Sequence, residues 1–400
     1  MKVIEINIPV LSNTISPNLS LSFFRKLMSI DDPLVSQPPE TGPLAHKRFL
    51  FVTFASILCV LFCARCLIER TEVVLSTLTE LGIEAQSNFD RPIVGILSLA
   101  LSEEFRKAHH MNLSADTRAV IPASYVKWLQ SAGAQVVVIP HFWDLARVSS
   151  LVGKLSAVLF TGGDYGDKDW NATTSWIFKE AVRRSETSDQ LALWGTCLGF
   201  ERIMQVASQD EIGTVVKASL VDNSVQMKWT KSAEESRIYQ FMGKEDIARF
   251  SELPIAYNYH TWGVTPESWG SHAALLDPLF NIVGMHEYNG TKFVAMVEGK
   301  KGLPVWGVQF HPEKALFEWS PNLNYPHSEA AILANRKLSD FLIGQIRRIN
   351  KISSVGFDSF GEESSFAIYN YRAVFTGVDV NATTSIYTET YIIDKYSHFR

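Results

Sequence analysis

The sequence predicts a three-layer α/β fold in which a mostly parallel central sheet carries helices on both faces. Short, continuously apolar segments of strand length alternate with longer segments that have the spacing of amphipathic helices. Strands that are apolar on both sides are typical of a parallel sheet that is covered on both faces. With 400 residues and 46% hydrophobic content, the chain can bury the core of one large domain or of two modest ones.

The predicted elements follow the β-α-β order of such folds. Gly133 ends the first predicted helix, and Pro140 stops the strand after it. In chain order the predicted elements are the strand IVGILSLA after Arg91-Pro92, a helix over 123–132, strands over 134–139 and 156–160, a helix over about 174–184, a strand over 191–194, a helix from about 199 and a strand over 304–310. Chemistry collects at the carboxyl ends of parallel strands, and Gly162-Gly163 and Cys197 occupy such positions.

An apolar run near the N-terminus has the build of a secretory signal. Residues 49–64 (FLFVTFASILCVLFCA) follow Lys47-Arg48, and the small residues Ala64 and Cys66 suit a cleavage site. The run is shorter than the roughly 20 residues of a spanning helix, so a retained membrane anchor is the lesser interpretation. Residues 1–48 form a Ser/Pro-rich leader that is either disordered or the product of an upstream start codon, with Met28 as one alternative start.

The predicted domain organisation follows from this run. The leader over 1–48 precedes a signal peptide or anchor over 49–66, a linker over 67–90, a catalytic domain over 91–393 and a tail over 394–400. We expect a glycoprotein of the secretory pathway, either secreted or delivered to a lysosome or vacuole. The expected glycosylation sites are four sequons in turn-like sequence, at Asn112, Asn171, Asn289 and Asn381.

The charge balance and the motifs that are missing exclude several classes of function. The formal net charge is -5 with both signs mixed along the chain, so no basic face is predicted and nucleic acid is not an expected partner. No Gly-rich phosphate loop is present, and no cofactor is implied. His109-His110 has no further ligand residues at metal spacing, so no metal site is predicted there.

Only one cysteine lies outside the apolar run and its end. Cys59, Cys63 and Cys66 belong to that region, so removal of a signal would leave Cys197 with no partner for an intrachain disulfide. A buried structural thiol is the alternative interpretation of such a residue. The sequence around Cys197 favours a nucleophile instead.

Cys197 stands between Gly195 and Gly199, at the junction of a predicted strand and a predicted helix. This pattern is the thiol form of the nucleophile elbow, a strained turn in which glycines avoid collision with the neighbouring strand and helix. We expect the sulfur to be exposed above the sheet. We also expect the N-terminus of the following helix to lower the pKa of the thiol.

A candidate base follows the predicted strand over 304–310. His311 and Glu313 are two residues apart, which in extended backbone places both side chains on the same side. The carboxylate would then hold one imidazole nitrogen while the other faces the sulfur. A solvated strand end with an incidental histidine is the alternative for this motif alone. Paired with the elbow, the motif predicts a triad of Cys197, His311 and Glu313.

These motifs resemble the class I glutamine amidotransferase superfamily, and specifically its gamma-glutamyl hydrolase branch. The segments that carry the resemblance are RPIVGIL at Arg91, ASYVKWLQSAGAQVV from Ala123, VLFTGGD from Val158, LWGTCLGFE around Cys197, AYNYHTWGVT from Ala256 and VWGVQFHPEKALFEW around His311. The resemblance covers about residues 91–393. It implies a flavodoxin-like fold of the amidotransferase type, and a homodimer as one further possibility.

The resemblance also implies roles for individual residues. Cys197 would be the nucleophile, His311 the acid/base group and Glu313 the orienting carboxylate. The backbone N–H groups of Gly163 and Leu198 would bind the oxyanion. The resemblance places His260 in the substrate cleft, and Gly162 is a further substrate-binding candidate. Glu201 is a candidate because it lies four residues after Cys197, one turn along the elbow helix. Their alternatives are a packed structural histidine, a turn glycine and a helix N-terminal carboxylate favoured by the dipole.

The resulting hypothesis is a cysteine hydrolase that cleaves the gamma-glutamyl bonds of folate poly-gamma-glutamates through a thioester. A polyanionic substrate calls for basic residues in the cleft, and the candidates are Arg106, Lys107, Arg118 and Lys314. Tryptophans 262, 269, 306 and 319 either line a groove for the folate rings or serve packing. The alternatives are a glutaminase or amidotransferase that acts on a small gamma-glutamyl amide, and a catalytically silent binding glycoprotein.

Overall fold

The chain divides into two compact units, Met1–Ala85 and Gln86–Arg400. A computed structural model describes Arg65 and residues 91–101, 113, 116–164, 166–209, 212–353, 355–377 and 386–395. The predicted leader, the apolar run, the linker and residues 396–400 of the predicted tail lie outside this part of the chain, apart from Arg65. None of the helices that the structure describes is both long enough and apolar enough to cross a membrane.

An eight-stranded sheet forms the centre of the second unit. Its first five strands are parallel, and the last three are antiparallel to their neighbours. In spatial order the strands are β4 (Gln135–Ile139), β1 (Ile93–Leu97), β5 (Ala157–Phe160), β6 (Ala192–Thr196), β12 (Val305–Val308), β11 (Thr291–Gly299), β10 (Phe280–Tyr288) and β8 (Lys228–Trp229). The predicted mostly parallel α/β sheet is confirmed.

The core lies on both faces of this sheet. Along β4, Val136 and Val138 are buried in one apolar cluster, whereas Val137 and Ile139 are buried in the other. This alternation is the period of two that a strand imposes on its side chains. The helices α1 (Ala123–Ser131), α5 (Arg237–Glu252) and α9 (Glu329–Asn350) contribute to the first cluster, and α2 (Leu145–Val152), α3 (Lys168–Arg184) and α4 (Leu198–Ala207) contribute to the second.

The predicted elements occur in the predicted order, but two of them are bounded differently. The predicted strand IVGILSLA is not one strand, because β1 ends at Leu97 and Leu99–Ala100 form β2 of a separate antiparallel sheet. Helix α3 was expected from about residue 174, but it begins six residues earlier, at Lys168. The reason is a helix cap: the Asp167 side chain accepts a hydrogen bond from the backbone N–H of Trp170 at 2.8 Å. Capping satisfies an N–H group that would otherwise have no partner in the first turn, so the helix starts at the cap rather than at the apolar periodicity.

Two smaller antiparallel sheets were not predicted. The four-stranded sheet has the order β13 (Arg372–Phe375), β14 (Glu389–Asp394), β3 (Thr117–Pro122) and β2 (Leu99–Ala100), so the C-terminal strand pairs with the strand that runs directly into α1. The two-stranded sheet joins β7 (Val216–Val225) to β9 (Ala256–Gly263). The short helices are α6 (Pro266–Ser271), α7 (Ala273–Leu276), α8 (Lys314–Phe317) and α10 (Phe360–Ser365), with 3-10 turns at Ala233–Glu235 and Ile368–Asn370.

Candidate active site

A small cleft lies beyond the carboxyl ends of three neighbouring strands of the parallel sheet, β5, β6 and β12. Each of these strands is followed within three residues by a residue that lines the cleft, because parallel strands end at the same edge of the sheet. The lining residues are Gly163, Asp164, Cys197, Tyr259, His311, Lys314, Ile386 and Tyr387.

Cys197 occupies the predicted elbow between β6 and α4. Its backbone is in a strained, left-handed region, with φ of 50° and ψ of −110°. A Cβ atom at Gly195 would lie 2.6 Å from Ile203 and 2.8 Å from the backbone of Gly199, and a Cβ atom at Gly199 would overlap the carbonyl of Phe160. The glycines on both sides of the nucleophile therefore fit the close packing of strand, turn and helix.

The Gly162-Gly163 turn after β5 packs directly against the catalytic candidates. A Cβ atom at Gly162 would lie 2.6 Å from His311 Cε1, 2.7 Å from Tyr125 Oη and 3.2 Å from Cys197 Cβ. The His311 imidazole and the Cys197 side chain therefore both lie next to the Cα of Gly162, so a side chain at this position would collide with the imidazole. Gly163, the next residue, lines the cleft itself.

His311 and Glu313 are brought together, but not by the geometry expected from the sequence. Strand β12 ends at Val308, and Glu313 has helical backbone angles of φ −71° and ψ −27°. The expectation of an extended backbone through both residues is therefore wrong. The turn nevertheless places His311 Nδ1 2.9 Å from Glu313 Oε1, with both side chains buried.

Tyr125, which no motif in the sequence indicates, links His311 to the glycine turn. Its hydroxyl accepts a hydrogen bond from the backbone N–H of Gly162 at 2.8 Å and lies 3.2 Å from His311 Nδ1. The other imidazole nitrogen of His311, Nε2, is buried without a hydrogen-bond partner among the described residues. With Nδ1 taken up by Glu313 and Tyr125, Nε2 is the atom left to receive a proton.

Burial is the largest influence on the pKa values of both Cys197 and His311. It raises the pKa of the Cys197 thiol well above its ordinary value, and the charge of Glu201 adds to this effect while a hydrogen bond from the Leu198 N–H opposes it. Burial also lowers the pKa of His311, although Glu313 partly offsets the shift. The expectations of an exposed sulfur and a lowered thiol pKa are both wrong, because Cys197 is only 4% exposed.

Glu201 lies inside the protein rather than at the cleft surface. It is buried on the first turn of α4 and accepts a hydrogen bond from Gln309 Nε2 at 2.9 Å. Burial raises its pKa to about 7. Glu201 is not among the residues that line the cleft, and its predicted contact with substrate stays a prediction.

His260 lies on β9, is buried, and is not among the residues that line the cleft. Its Nδ1 lies 2.8 Å from the carbonyl oxygen of Trp262, and its ring packs edge-on against Phe293. Burial lowers its pKa to about 4, and the nearby charge of His311 contributes. In the described part of the chain its Nε2 has no hydrogen-bond partner. Its predicted substrate role also stays a prediction.

Of the two basic candidates that the structure describes, Arg118 and Lys314, one lies at the cleft. Lys314 lines it, whereas Arg118 is exposed on β3, and Arg106 and Lys107 lie outside the described residues, as do His109 and His110. The tryptophans divide into two buried residues, Trp269 and Trp306, and two residues more than half exposed, Trp262 and Trp319.

Two of the four predicted glycosylation sites, Asn171 and Asn289, lie in the described part of the chain. Asn289 is exposed in the turn between β10 and β11, as expected. Asn171 lies in the first turns of α3 with a half-buried side chain, so its predicted placement in a turn is wrong, for the reason that the Asp167 cap starts this helix early. Asn112 and Asn381 lie outside the part that the structure describes.

The C-terminal segment supplies a wall of the cleft that the sequence analysis missed. Ile386 and Tyr387 line the cleft just before β14. Tyr325 Oη donates a hydrogen bond to the Ile386 carbonyl oxygen at 2.9 Å, which fixes the segment in place. The only signal in the sequence was a short apolar stretch far from every motif, so no pattern connected it to Cys197.

The fold and the site define an α/β protein in which a cysteine, a histidine and a carboxylate meet after the neighbouring parallel strands β6 and β12. The chain belongs to the class I glutamine amidotransferase family, because the family model "Glutamine amidotransferase class-I" matches residues 116–324. This range includes Cys197, His311 and Glu313.

The chain is also similar to curated proteins named gamma-glutamyl hydrolase. The protein from Homo sapiens is 29% identical over 308 residues, which cover 76% of this chain and 90% of the relative. The protein from Bos taurus is 28% identical over 326 residues, or 80% and 96% of the two chains. Gamma-glutamyl hydrolase 1 from Arabidopsis thaliana is 26% identical over 302 residues, or 75% and 83%. These similarities support an enzyme of the gamma-glutamyl hydrolase type.

A solved structure of a glutamine amidotransferase from Thermotoga maritima is a more distant match. It covers 64% of this chain and 98% of its own, with 11% sequence identity and a TM-score of 0.38. A match at this level carries no weight for the function.

Proposed function

We propose that this protein is a cysteine hydrolase that cleaves the gamma-glutamyl bonds of folate poly-gamma-glutamates. The observation that carries the proposal is the elbow cysteine, Cys197, beside a buried His311 whose Nδ1 contacts Glu313 at 2.9 Å. The similarity to curated gamma-glutamyl hydrolases supports the choice of a gamma-glutamyl bond. The folate portion of the substrate is the part of the proposal that rests on the resemblance alone.

Acylation begins with neutral groups. Since burial raises the pKa of Cys197 and lowers that of His311, the resting pair is a thiol and a neutral imidazole. As Sγ attacks the gamma-carbonyl carbon, its proton passes to His311 Nε2, and the Glu313 carboxylate stabilises the imidazolium through Nδ1. The backbone N–H groups of Gly163 and Leu198 bind the oxyanion.

Collapse of the tetrahedral intermediate breaks the C–N bond. The departing amine takes the proton from His311 Nε2 and leaves a thioester on Cys197. Water then attacks the thioester and gives its proton to His311, and Cys197 is released as a thiol once the proton returns. The cycle consumes one water and needs no other reactant.

The test uses pteroyl-tri-gamma-glutamate and measures the release of glutamate or short gamma-glutamyl peptides. The full-length protein is expected to hydrolyse this substrate, and Cys197→Ala is expected to lose all measurable activity. Glu235→Gln, a change at an exposed carboxylate, is the control for effects of expression and purification of a variant, and it should keep the wild-type rate. Hydrolysis by Cys197→Ala at the wild-type rate would remove the proposed mechanism.

A glutaminase is the second candidate, because the matched family model describes glutamine amidotransferases. The same triad could attack the side-chain amide of free glutamine and release ammonia. Ammonia release from glutamine, measured beside cleavage of the folate substrate, distinguishes the two. We expect the ratio of kcat/KM values to favour the gamma-glutamyl peptide bond.

We further propose that the chain enters the secretory pathway through residues 49–66 and carries glycan at Asn289. The apolar run and the exposed sequon support this proposal. Expression of the full chain in a eukaryotic cell, followed by N-terminal sequencing and glycosidase treatment, tests it. A cytosolic, unglycosylated product with an intact N-terminus would contradict it.

A further inference from the structure

Lys314 is a buried cation in the wall of the cleft. It follows the His311–Glu313 turn at the start of α8, and the whole residue is 1% exposed. Its Nζ donates a hydrogen bond to the Ile386 carbonyl oxygen at 3.0 Å. The ammonium also lies 4.6 Å from the ring centroid of Tyr387 and 5.5 Å from that of Tyr325.

These partners do not neutralise the charge. A carbonyl oxygen and two aromatic faces offset part of the cost of burying an ammonium group, but a buried charge is ordinarily paired with an opposite charge. Among the residues that the structure describes, no carboxylate lies within ion-pair distance of Lys314. The buried carboxyl of Glu318 interacts with the Lys314 charge only at longer range, where that charge opposes the rise that burial causes in the pKa of Glu318. The Ile386 carbonyl accepts only one of the three N–H donors that a lysine carries.

The position of Lys314 indicates what the remaining donors bind. It is the one Lys or Arg among the described residues that line the cleft, which it shares with Cys197, His311 and one acidic residue, Asp164. Every residue of a poly-gamma-glutamate chain carries a free α-carboxylate a few bonds from its gamma-carbonyl carbon. A substrate held for attack by Cys197 therefore brings a carboxylate into the same small cleft as the buried ammonium.

We propose that Lys314 forms the subsite for the free α-carboxylate of the glutamyl residue that Cys197 attacks. This inference rests on the proposed function. The ammonium pairs with the carboxylate of the acyl residue, and the Ile386 carbonyl and the tyrosine rings hold the ammonium in place before substrate arrives. Lys314 thereby selects gamma-linked glutamyl residues over neutral amides of the same size.

The test compares two substrates on four proteins. The substrates are pteroyl-di-gamma-glutamate with the α-carboxylate of the attacked residue free, and the same compound with that group converted to a primary amide. The proteins are the wild type, Lys314→Met, Lys314→Arg and Lys127→Met. Lys127 pairs with Glu389, the first residue of β14, outside the cleft. Its variant therefore removes a cation that contacts the chain shortly after Ile386 and Tyr387, the residues that Lys314 contacts.

For the wild type, kcat/KM is expected to favour the free carboxylate by about 10- to 100-fold, the size measured for hydrogen bonds to a charged group. In Lys314→Met the ratio of kcat/KM for the free carboxylate to kcat/KM for the amide should fall close to one, mainly because KM for the free-carboxylate substrate rises. Lys314→Arg should keep part of the preference, because it keeps the charge. Lys127→Met should keep all of it.

Three results would overturn the inference. Equal hydrolysis of both substrates by the wild type would contradict the carboxylate subsite but not the proposed hydrolase function. This result is obtained with the wild-type protein alone, so it does not depend on whether a variant folds. An unchanged preference in Lys314→Met, or an equal loss of rate on both substrates, assigns Lys314 a purely structural role. Failure of the wild type to cleave either substrate refutes the proposed function and this inference together.

Discussion

At Cys197, burial and the N-terminus of α4 act on the same thiol in opposite directions. A helix N-terminus stabilises a nearby anion by about 0.3 to 2 kcal/mol, whereas removing a charge from water costs several kcal/mol unless it is paired. Burial is the larger effect here, and the thiol pKa is raised. In the proposed mechanism, His311 therefore takes the proton during attack, and no preformed thiolate is needed.

The Glu313 carboxylate is expected to control the acid side of the pH profile. Glu313 raises the pKa of His311 against the lowering effect of burial. His311 must be neutral to accept the thiol proton, so activity falls as the pH drops through its pKa. In Glu313→Gln this pKa is lower, so the acid limb of kcat/KM should move to lower pH while kcat falls by about 100-fold through loss of a charged hydrogen bond.

The control for this prediction is Glu287→Gln, which removes a carboxylate that pairs with Lys228 on β8. Its pH profile should match that of the wild type. An acid limb that does not move in Glu313→Gln would show that the carboxylate does not act through His311.

Glu201 is expected to make stability depend on pH. Its pKa is about 7 in the folded protein, against an ordinary value of 4.5. Between these values the unfolded chain has released the proton and the folded chain has kept it, so wild-type stability falls as the pH rises from about 4.5 to 7. Glu201→Gln cannot ionise and should be more stable than the wild type at pH 8 by roughly 3 kcal/mol, with much less gain at pH 5.

Urea unfolding at the two pH values measures this difference. Glu235→Gln, at an exposed position, should show no such dependence. A constant difference between wild type and Glu201→Gln at both pH values would mean that Glu201 does not change its protonation in this range.

At the scale of elements, the β6–α4 elbow places the nucleophile and also joins the sheet to the helix layer. The Cys197 backbone N–H donates to the Val308 carbonyl at 2.8 Å, and the Gly199 N–H donates to the Thr161 carbonyl at 3.1 Å. The elbow is thereby tied to the ends of β12 and β5, which carry His311 and the glycine turn. A backbone shift at the elbow would therefore disturb Cys197, His311 and the Gly162-Gly163 turn together.

Gly199→Ala is expected to destabilise the protein strongly, because the new Cβ atom would overlap the Phe160 carbonyl. Gly344→Ala is the matched control: this glycine lies inside α9, and a Cβ atom there would meet nothing within 4 Å. Replacing a helical glycine by alanine typically gains about 0.5 to 1 kcal/mol. Thermal or urea unfolding should show loss in the first variant and gain in the second, and equal stabilities would contradict the packing at the elbow.

The elements that the sequence could predict are those whose signal is local. Apolar runs ended by Pro140 or by glycines located β4, β5 and β6, and the G-x-C-x-G pattern located the elbow. The start of α3 was missed because a cap at Asp167 begins the helix ahead of its apolar periodicity. The turn that joins His311 to Glu313 was missed because a spacing of two suits several backbone shapes.

At the scale of the whole molecule, the parts that sequence alone could not predict are those that depend on distant pairing. Tyr391 of β14 pairs with Ile121 of β3, although the two residues are far apart in the sequence. Nothing in the local sequence of either strand indicates which strand it pairs with. This pairing carries Ile386 and Tyr387 to the cleft. The positions of Tyr125 and Lys314 at the site also depend on long-range contacts. Tyr125 contacts His311 and Gly162, and Lys314 contacts Ile386, so neither residue can be identified from its neighbours in the sequence.

The second compact unit is expected to fold and react without the first. All described residues that line the cleft belong to Gln86–Arg400. A chain beginning at Gln86 should therefore unfold in one cooperative transition and hydrolyse the folate substrate with the kcat/KM of the full-length protein. Circular dichroism and steady-state kinetics check this, and an aggregated or inactive product would show that the first 85 residues contribute to the fold.

The central claim is that Cys197 forms a covalent acyl-enzyme with a gamma-glutamyl substrate. Rapid acid quench of the full-length protein with pteroyl-tri-gamma-glutamate, followed by peptide mass spectrometry, tests it most directly. The account predicts a pteroyl-glutamyl or pteroyl-diglutamyl acyl group on the peptide that contains Cys197, removable by hydroxylamine. This group should be absent in Cys197→Ala, which should not hydrolyse the substrate. An acyl group mapped to another residue, or full hydrolysis by Cys197→Ala, would contradict the account.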